Sequence, residues 1–246
     1  MDAVNKGFAR CKGDFIGLNF SDDILSPDGI SRKVALFQNQ REIDFIYGDC
    51  EDIDENGAHL FVRYGNNSPY REWVRTCQMP ITLQSSLWRR SVIDRVGGFK
   101  TSMNVAADWE FFLRVGVMCQ IKYLPGVTGK FRAHPNSQSQ NLQLLWVSLV
   151  PKMYEEFFAR NDLPQEIKAV QKQSLANAHV YSAYLLMTYS SLNETVKEVI
   201  RAIGIYPQII FSRRFVILLL LCVMGSTLRR SFRRIRTGSK ADGRTR

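Results

Sequence analysis

Three short stretches of this sequence carry side chains that could do chemistry. The first is Ser21-Asp22-Asp23, directly after the apolar run Phe15 to Phe20. Adjacent carboxylates repel each other and call for a positive partner. A divalent cation such as Mg2+ or Mn2+ prefers oxygen ligands of this kind, and it can hold a diphosphate and stabilise it as it leaves. In an open α/β sheet, ligands bind beyond the carboxyl ends of strands, which is where this pair falls. Capping of a helix that begins near Pro27 accounts for Ser21-Asp22 equally well.

The second stretch is Ala106 to Arg114, with Asp108 and Glu110 near its start. A carboxylate in that position is favoured by the helix dipole whether or not it reacts. Its functional use would be as a general base that takes a proton from an attacking hydroxyl. Trp109 and Phe112 suit either a core or an apolar wall on which a sugar stacks. Spacing alone favours the structural role here. The third stretch is Phe131-Arg132-Ala133-His134, a strand end whose cationic groups suit a phosphate. Read alone, its single histidine fits a structural or surface role better.

The elements that must position these groups follow from the periodicity. Ala3, Val4, Phe8 and Ala9 predict a helix over the first ten or so residues, stopped by Gly13. Phe15 to Phe20 predicts a buried strand, and Pro27 opens a helix with Val34, Ala35 and Phe37 on its apolar side. Ile43 to Tyr47 predicts a second strand, followed by the acidic stretch Asp49 to Asp54 and a turn at Glu55-Asn56-Gly57. Leu60 to Tyr64 returns as a hairpin strand, and residues 65 to 80 read as loop. Ser86 to Val96 and Ala106 to Met118 predict helices, and Val127 to Phe131 a last strand. This alternation indicates an α/β layer structure. After about residue 137 strand signals disappear. Leu142 to Arg160, Gln165 to Tyr189 and Glu194 to Ile203 are helical in pattern, with breaks at Asn161 to Pro164 and Ser190 to Asn193.

Composition narrows the class. Of 246 residues, 45% are hydrophobic and 23% charged, which excludes a disordered chain. The net charge is +10, but residues 227 to 246 hold eight basic side chains and one acid, Asp242, so most of the excess sits in the tail. Five cysteines with no CxxC pair read as reduced thiols rather than a zinc site or disulfide frame. No reading motif or aromatic platform accompanies the arginines, so a nucleic-acid partner is not expected.

The chemical stretches occur in a recognisable order. DAVNKGFARCKGDFIGLNFSDDIL, DFIYGD with its ENG turn, QSSLWRR, VIDRVGGF, ADWEFFLR and FRAHPNSQS together resemble the second half of a family 2 glycosyltransferase of the GT-A type, over residues 2 to 139. The resemblance implies a partial GT-A, Rossmann-like mixed sheet with helices at 1–139, to which the residue pattern adds an all-helical region at 140–204. It implies inverting transfer of a sugar from a nucleotide-diphosphate donor to a hydroxyl acceptor. Asp22 and Asp23 would then bind the metal and the donor, Asp108 would be the catalytic base, Gln84 and Trp109 would lie on the acceptor side, and Arg132 and His134 would close over the diphosphate. Two departures stand out. Phe20 or Ser21 replaces the first Asp of the DxD element, and Ala107 replaces the Glu before the base. The family's first half, with its nucleotide-base pocket, has no counterpart before Met1. This leads to the expectation of a fragment, and to the alternative of an inactive remnant that binds only membrane or a partner.

The last segment, 205–246, reads differently. Phe215 to Gly225 is an apolar run too short to span a bilayer, preceded by Arg213-Arg214 and followed by the basic tail. Apolar and basic patches in alternation suit a segment lying in a membrane interface on anionic headgroups. The expected setting is the cytoplasmic face of a cell membrane, with a lipid-linked sugar or a growing polysaccharide as acceptor.

Overall fold

The computed structural model describes residues 1–134, 142–189 and 192–223. The end of the FRAHPNSQS motif, the Ser190-Ser191 break and the basic tail lie outside these residues. The front half is a mixed sheet with helices packed on it, as the alternation predicts. In chain order it comprises α1 (Asp2–Arg10), β1 (Phe15–Ile16), β2 (Ile24–Leu25), α2 (Gly29–Asn39), β3 (Phe45–Ile53), β4 (His59–Arg63) and α3 (Tyr70–Thr76). Then come β5 (Ser86–Arg89), α4 (Ser91–Val96), a 3-10 segment (Thr101–Ala106), α5 (Ala107–Met118) and β6 (Ile121–Arg132).

Strand β3 is the axis of the sheet. It runs parallel to β6 along its length. On its other side the first half pairs with β5, Phe45 opposite Trp88, and the second half with β4, Cys50 opposite Arg63, both antiparallel. Short strands β1 and β2 flank β5 and β6.

Four local expectations change. The acidic stretch Asp49 to Asp54 does not follow the strand: Asp49 to Ile53 belong to it. The acids tolerate this because donors meet them. The Asp49 carboxylate accepts from the Gly65 and Gly126 amides and the Tyr123 hydroxyl, and buried polar groups are stable where so satisfied. Ser86 to Arg89 is a strand, and only Ser91 to Val96 is helical. The open edge of β3 dictates that choice, with Phe45 and Trp88 stacked in parallel planes at 5.3 Å. Residues 70–76, expected as loop, form α3, which ends on Cys77 in a left-handed conformation. The strand expected through Phe20 stops at Ile16.

The rear half is helical, as expected: α6 (Leu145–Phe158), α7 (Gln165–Lys168), α8 (Gln171–Tyr189), α9 (Leu192–Ile205), a 3-10 turn (Pro207–Phe211) and α10 (Arg213–Val223). Helix α8 is central, packing on α3, α6, α9 and α10. Two main cores result. One joins the sheet, α5 and α6 through Phe45, Trp88, Phe111, Phe112 and Tyr154. The other lies among α8, α9 and α10.

Gly129 on β6 passes directly under the loop that carries Gln84. A Cβ there would lie 2.0 Å from the Gln84 carbonyl oxygen. Neither backbone can yield, because Gly129 also pairs with Leu25 and Cys50. Gly129→Ala is therefore expected to cost about 2 kcal/mol or more. A thermal melt reads this directly, and an unchanged midpoint would contradict the close approach.

Candidate functional site

A cavity of about 1170 Å³ opens between the sheet and the helical half. Asp22, Asp23, Gln84, Asp108 and Trp109 all line it, so five residues singled out from the sequence, spread over 88 positions, meet at one place. Arg132 and His134 lie behind the Asp22-Asp23 pair and hold it.

The two neighbouring carboxylates differ sharply. Asp23 is buried, with both oxygens in use. One accepts from the Gln84 amide at 2.7 Å, the other from the Arg132 backbone amide at 3.0 Å. Burial raises its pKa against the pull of those hydrogen bonds. Asp22 is more open, its side chain 39% exposed, and its Oδ2 lies 3.0 Å from His134 Nε2. The Arg132 guanidinium bonds the carbonyl oxygens of Asp22, Asp54 and Glu55. It thus ties the Asp22 loop to the β3–β4 turn.

Across the cavity Asp108 stands in the first turn of α5. Its Oδ1 accepts the Trp109 backbone amide at 2.8 Å. Burial pushes its pKa up to about 6, while that hydrogen bond and the Arg63 charge pull the other way. A carboxyl titrating there is suited to exchange a proton near neutral pH. The segment before it is strained, since Asn104 has φ 44° and also lines the cavity.

Arg63 and Asp52 join the site although neither was singled out from the sequence. The Arg63 guanidinium clamps Asp52 through two hydrogen bonds, 2.6 and 2.8 Å, and lies 4.7 Å from the centre of the Phe131 ring. Its charge lowers the pKa of both Asp23 and Asp108, so it acts on both ends of the site. The hairpin register set by the Glu55-Asn56-Gly57 turn was the signal that could have found it. Trp146 on α6 and Tyr181 on α8 were also missed. Both pack against Trp109, with ring centres 5.2 and 5.5 Å away, forming an aromatic wall. No local pattern marks them.

The donor set can be tested against a divalent cation. Asp22 fits in part: its carboxylate lines the cavity and is 39% exposed, although Oδ2 is hydrogen-bonded to His134 Nε2. Asp23 fits less well, because protein donors occupy both its oxygens. Among the described residues no group of three or more His, Cys, Asp or Glu side chains converges to hold a metal. A cation here would complete its shell with phosphate oxygens and water.

No protein-family model matches the chain. Curated relatives do. The chain is 27% identical over 113 residues to the O-antigen biosynthesis protein RfbC of Myxococcus xanthus, covering 46% of this chain and 9% of that protein. It is 26% identical over 120 residues to an uncharacterized glycosyltransferase of Mycobacterium tuberculosis, covering 48% and 45%. It is 23% identical over 122 residues to the chondroitin synthase of Escherichia coli, covering 50% and 18%. The chain spans less than half the length of each of these relatives. Among solved structures, mannosyltransferase PcManGT from Pyrobaculum calidifontis, in complex with GDP-Man and Mn2+, superposes with a TM-score of 0.48 at 12% identity, covering 90% of this chain and 63% of that one.

The raised pKa of Asp108 has a consequence for stability. Its folded pKa lies above the ordinary 3.8. Ionisation therefore opposes folding in full above pH about 6, and the penalty fades as pH falls towards 3.8. Asp108→Asn is expected to melt above the parent protein at pH 8, with the gap closing below pH 5. Equal melting points across this range would show that Asp108 is not desolvated.

Proposed function

We propose that this chain belongs to a glycosyltransferase and carries the part of its site that activates the acceptor and holds the donor's diphosphate. The observation that carries the reading is the convergence of Asp108 with Asp22, Asp23 and Gln84 on one cavity. The relatives named as glycosyltransferases support it, and the O-antigen and chondroitin proteins favour a glycan acceptor in polysaccharide synthesis.

The transfer is a single inverting displacement of the family 2 kind. Asp108 takes the proton of the acceptor hydroxyl. The oxygen attacks the anomeric carbon as the bond to the nucleoside diphosphate breaks, and the diphosphate leaves with the bonding electron pair. The face of attack inverts the anomeric centre. Trp109, backed by Trp146 and Tyr181, offers the sugar an aromatic wall. Asp22, steadied by His134, would offer carboxylate oxygen to a Mg2+ or Mn2+ ion, which when bound neutralises charge on the leaving diphosphate. Asp23, fixed by Gln84 and Arg132, keeps the Asp22 loop in place. Arg63 supplies positive charge on the same side. The acceptor is a lipid-linked sugar or a growing polysaccharide at the cytoplasmic face of a membrane.

The test is release of nucleoside diphosphate from a panel of nucleotide sugars with Mn2+ present. With its base titrating near 6, kcat/KM is expected to rise with pH and level off above that value. Asp108→Asn should lose at least about a hundredfold in kcat while staying folded. Turnover that survives this change would sink the assignment of the base. Arg63→Met removes a charge that favours the ionised forms of Asp108 and Asp23, so it should shift the acid limb of the profile upwards. A limb that stays in place would mean Arg63 serves only the Asp52 pair.

A further inference from the structure

The last helix among the described residues, α10, is apolar on both faces. Phe215, Leu218 and Leu221 are buried against α8, α9 and the 3-10 turn. Val216, Leu219 and Leu220, at spacing i, i+3, i+4, face outwards with 46, 46 and 60% of their surface exposed. Phe211, in the turn before it, is 81% exposed. Helix α9 adds a second exposed stripe, Leu192, Val196 and Ile200. An uncovered apolar stripe on an otherwise buried helix marks an interaction surface. No described helix is long and apolar enough to cross a membrane.

Charge decides what covers the stripe. From Arg213 to the chain end there are ten basic residues and one acid, Asp242. A second copy docking on this stripe would bring a like-charged segment against the first. An anionic surface would instead attract both. The two arginines at the start of α10 also divide their work. Arg214 turns into the protein, bonding the carbonyl oxygens of Thr76 and Cys77 at the end of α3, while Arg213 stays exposed. The cationic head that would be costly in lipid is thus absorbed by the fold.

We infer that Phe211, Val216, Leu219 and Leu220 form a docking face that inserts into the headgroup region of an anionic lipid bilayer, to which the positive charge of the chain from Arg213 onward draws it. This deepens the membrane setting proposed above and does not depend on sugar transfer.

Co-sedimentation of the full chain with vesicles tests it, without donor or acceptor, so that loss of transfer and loss of lipid binding are read separately. Binding is expected to phosphatidylcholine vesicles containing phosphatidylglycerol and to weaken at high salt. Phe211→Ser combined with Leu220→Ser should weaken it about tenfold or more. Circular dichroism of that variant without lipid confirms its fold, since both side chains are exposed. Two results would overturn the inference. One is vesicle binding unchanged in the double variant, which would assign it to the basic segment alone. The other is no vesicle binding together with a concentration-dependent dimer that the double variant abolishes, which would assign the face to a second copy.

Discussion

Strand β3 carries carboxylates through the middle of the sheet, and the rest of the front half is arranged to satisfy them. Asp49 and Asp52 are each only 5% exposed. Buried without partners, either would cost several kcal/mol. Asp49 recruits two backbone amides and a tyrosine hydroxyl, which pins the bend in β6 at Gly126 and the chain after β4 at Gly65. Asp52 recruits Arg63 from β4 and so holds the hairpin in the register its turn sets. Glu51 takes Lys130 from β6 and His59 from β4. Three acids thus fix both neighbours of the strand.

The site inherits this arrangement. Arg63 is in the cavity because Asp52 holds it there. Arg132 reaches the Asp22 carbonyl because β6 runs in register with β3 to Ile53 and Arg132. Asp23 then closes the circuit, joining the end of β6 to the Gln84 loop. Each link is a hydrogen bond made by a charged or polar side chain, and such links are directional in a way that apolar packing is not. This is how a two-residue strand, β2, can hold a metal-ligand candidate in place. Its pairing with Lys130 and Gly129 alone would be marginal.

This logic also explains which parts were legible in the sequence. The strand-helix alternation and most helices of the rear half could be read because apolar residues recur over long windows. The Gln165 to Tyr189 segment differs in detail: it divides at Ala169-Val170 into α7 and α8. Asp22, Asp23, Gln84 and Asp108 could be named because their order matched a known pattern, and the structure does bring them to one cavity. Ser86 to Arg89 could not be read as a strand, since four residues do not separate a period of 2 from one of 3.6, and only the free edge of β3 decides. The Asp49 to Asp52 stretch reads as non-strand because Asp is depleted in strands, and donors distant in sequence override that preference. Trp146 and Tyr181 have a role only through Trp109, a contact that no local pattern encodes.

The helical half is a wall of the site as well as an annex to it. Helix α8 turns one side to the cavity, with Tyr181, Tyr184, Leu185 and Thr188. Its other side, with Ala176, Val180 and Ala183, packs in the core shared with α10. It is anchored from both directions, by Asn177 to the Arg75 carbonyl on α3 and by Ser182 to the Val147 carbonyl on α6. Arg214 completes the connection, because it stands in the first turn of α10, caps α3 and lines the cavity. A cation at the carboxyl end of a helix is favoured by the helix dipole, so α3 stabilises the start of α10 as much as α10 covers α3. The face proposed to meet lipid and the cavity proposed to bind a sugar are therefore joined through one residue and one rigid helix. With α10 on a bilayer, this fixes the cavity relative to the lipid surface, the arrangement that an acceptor anchored in lipid requires.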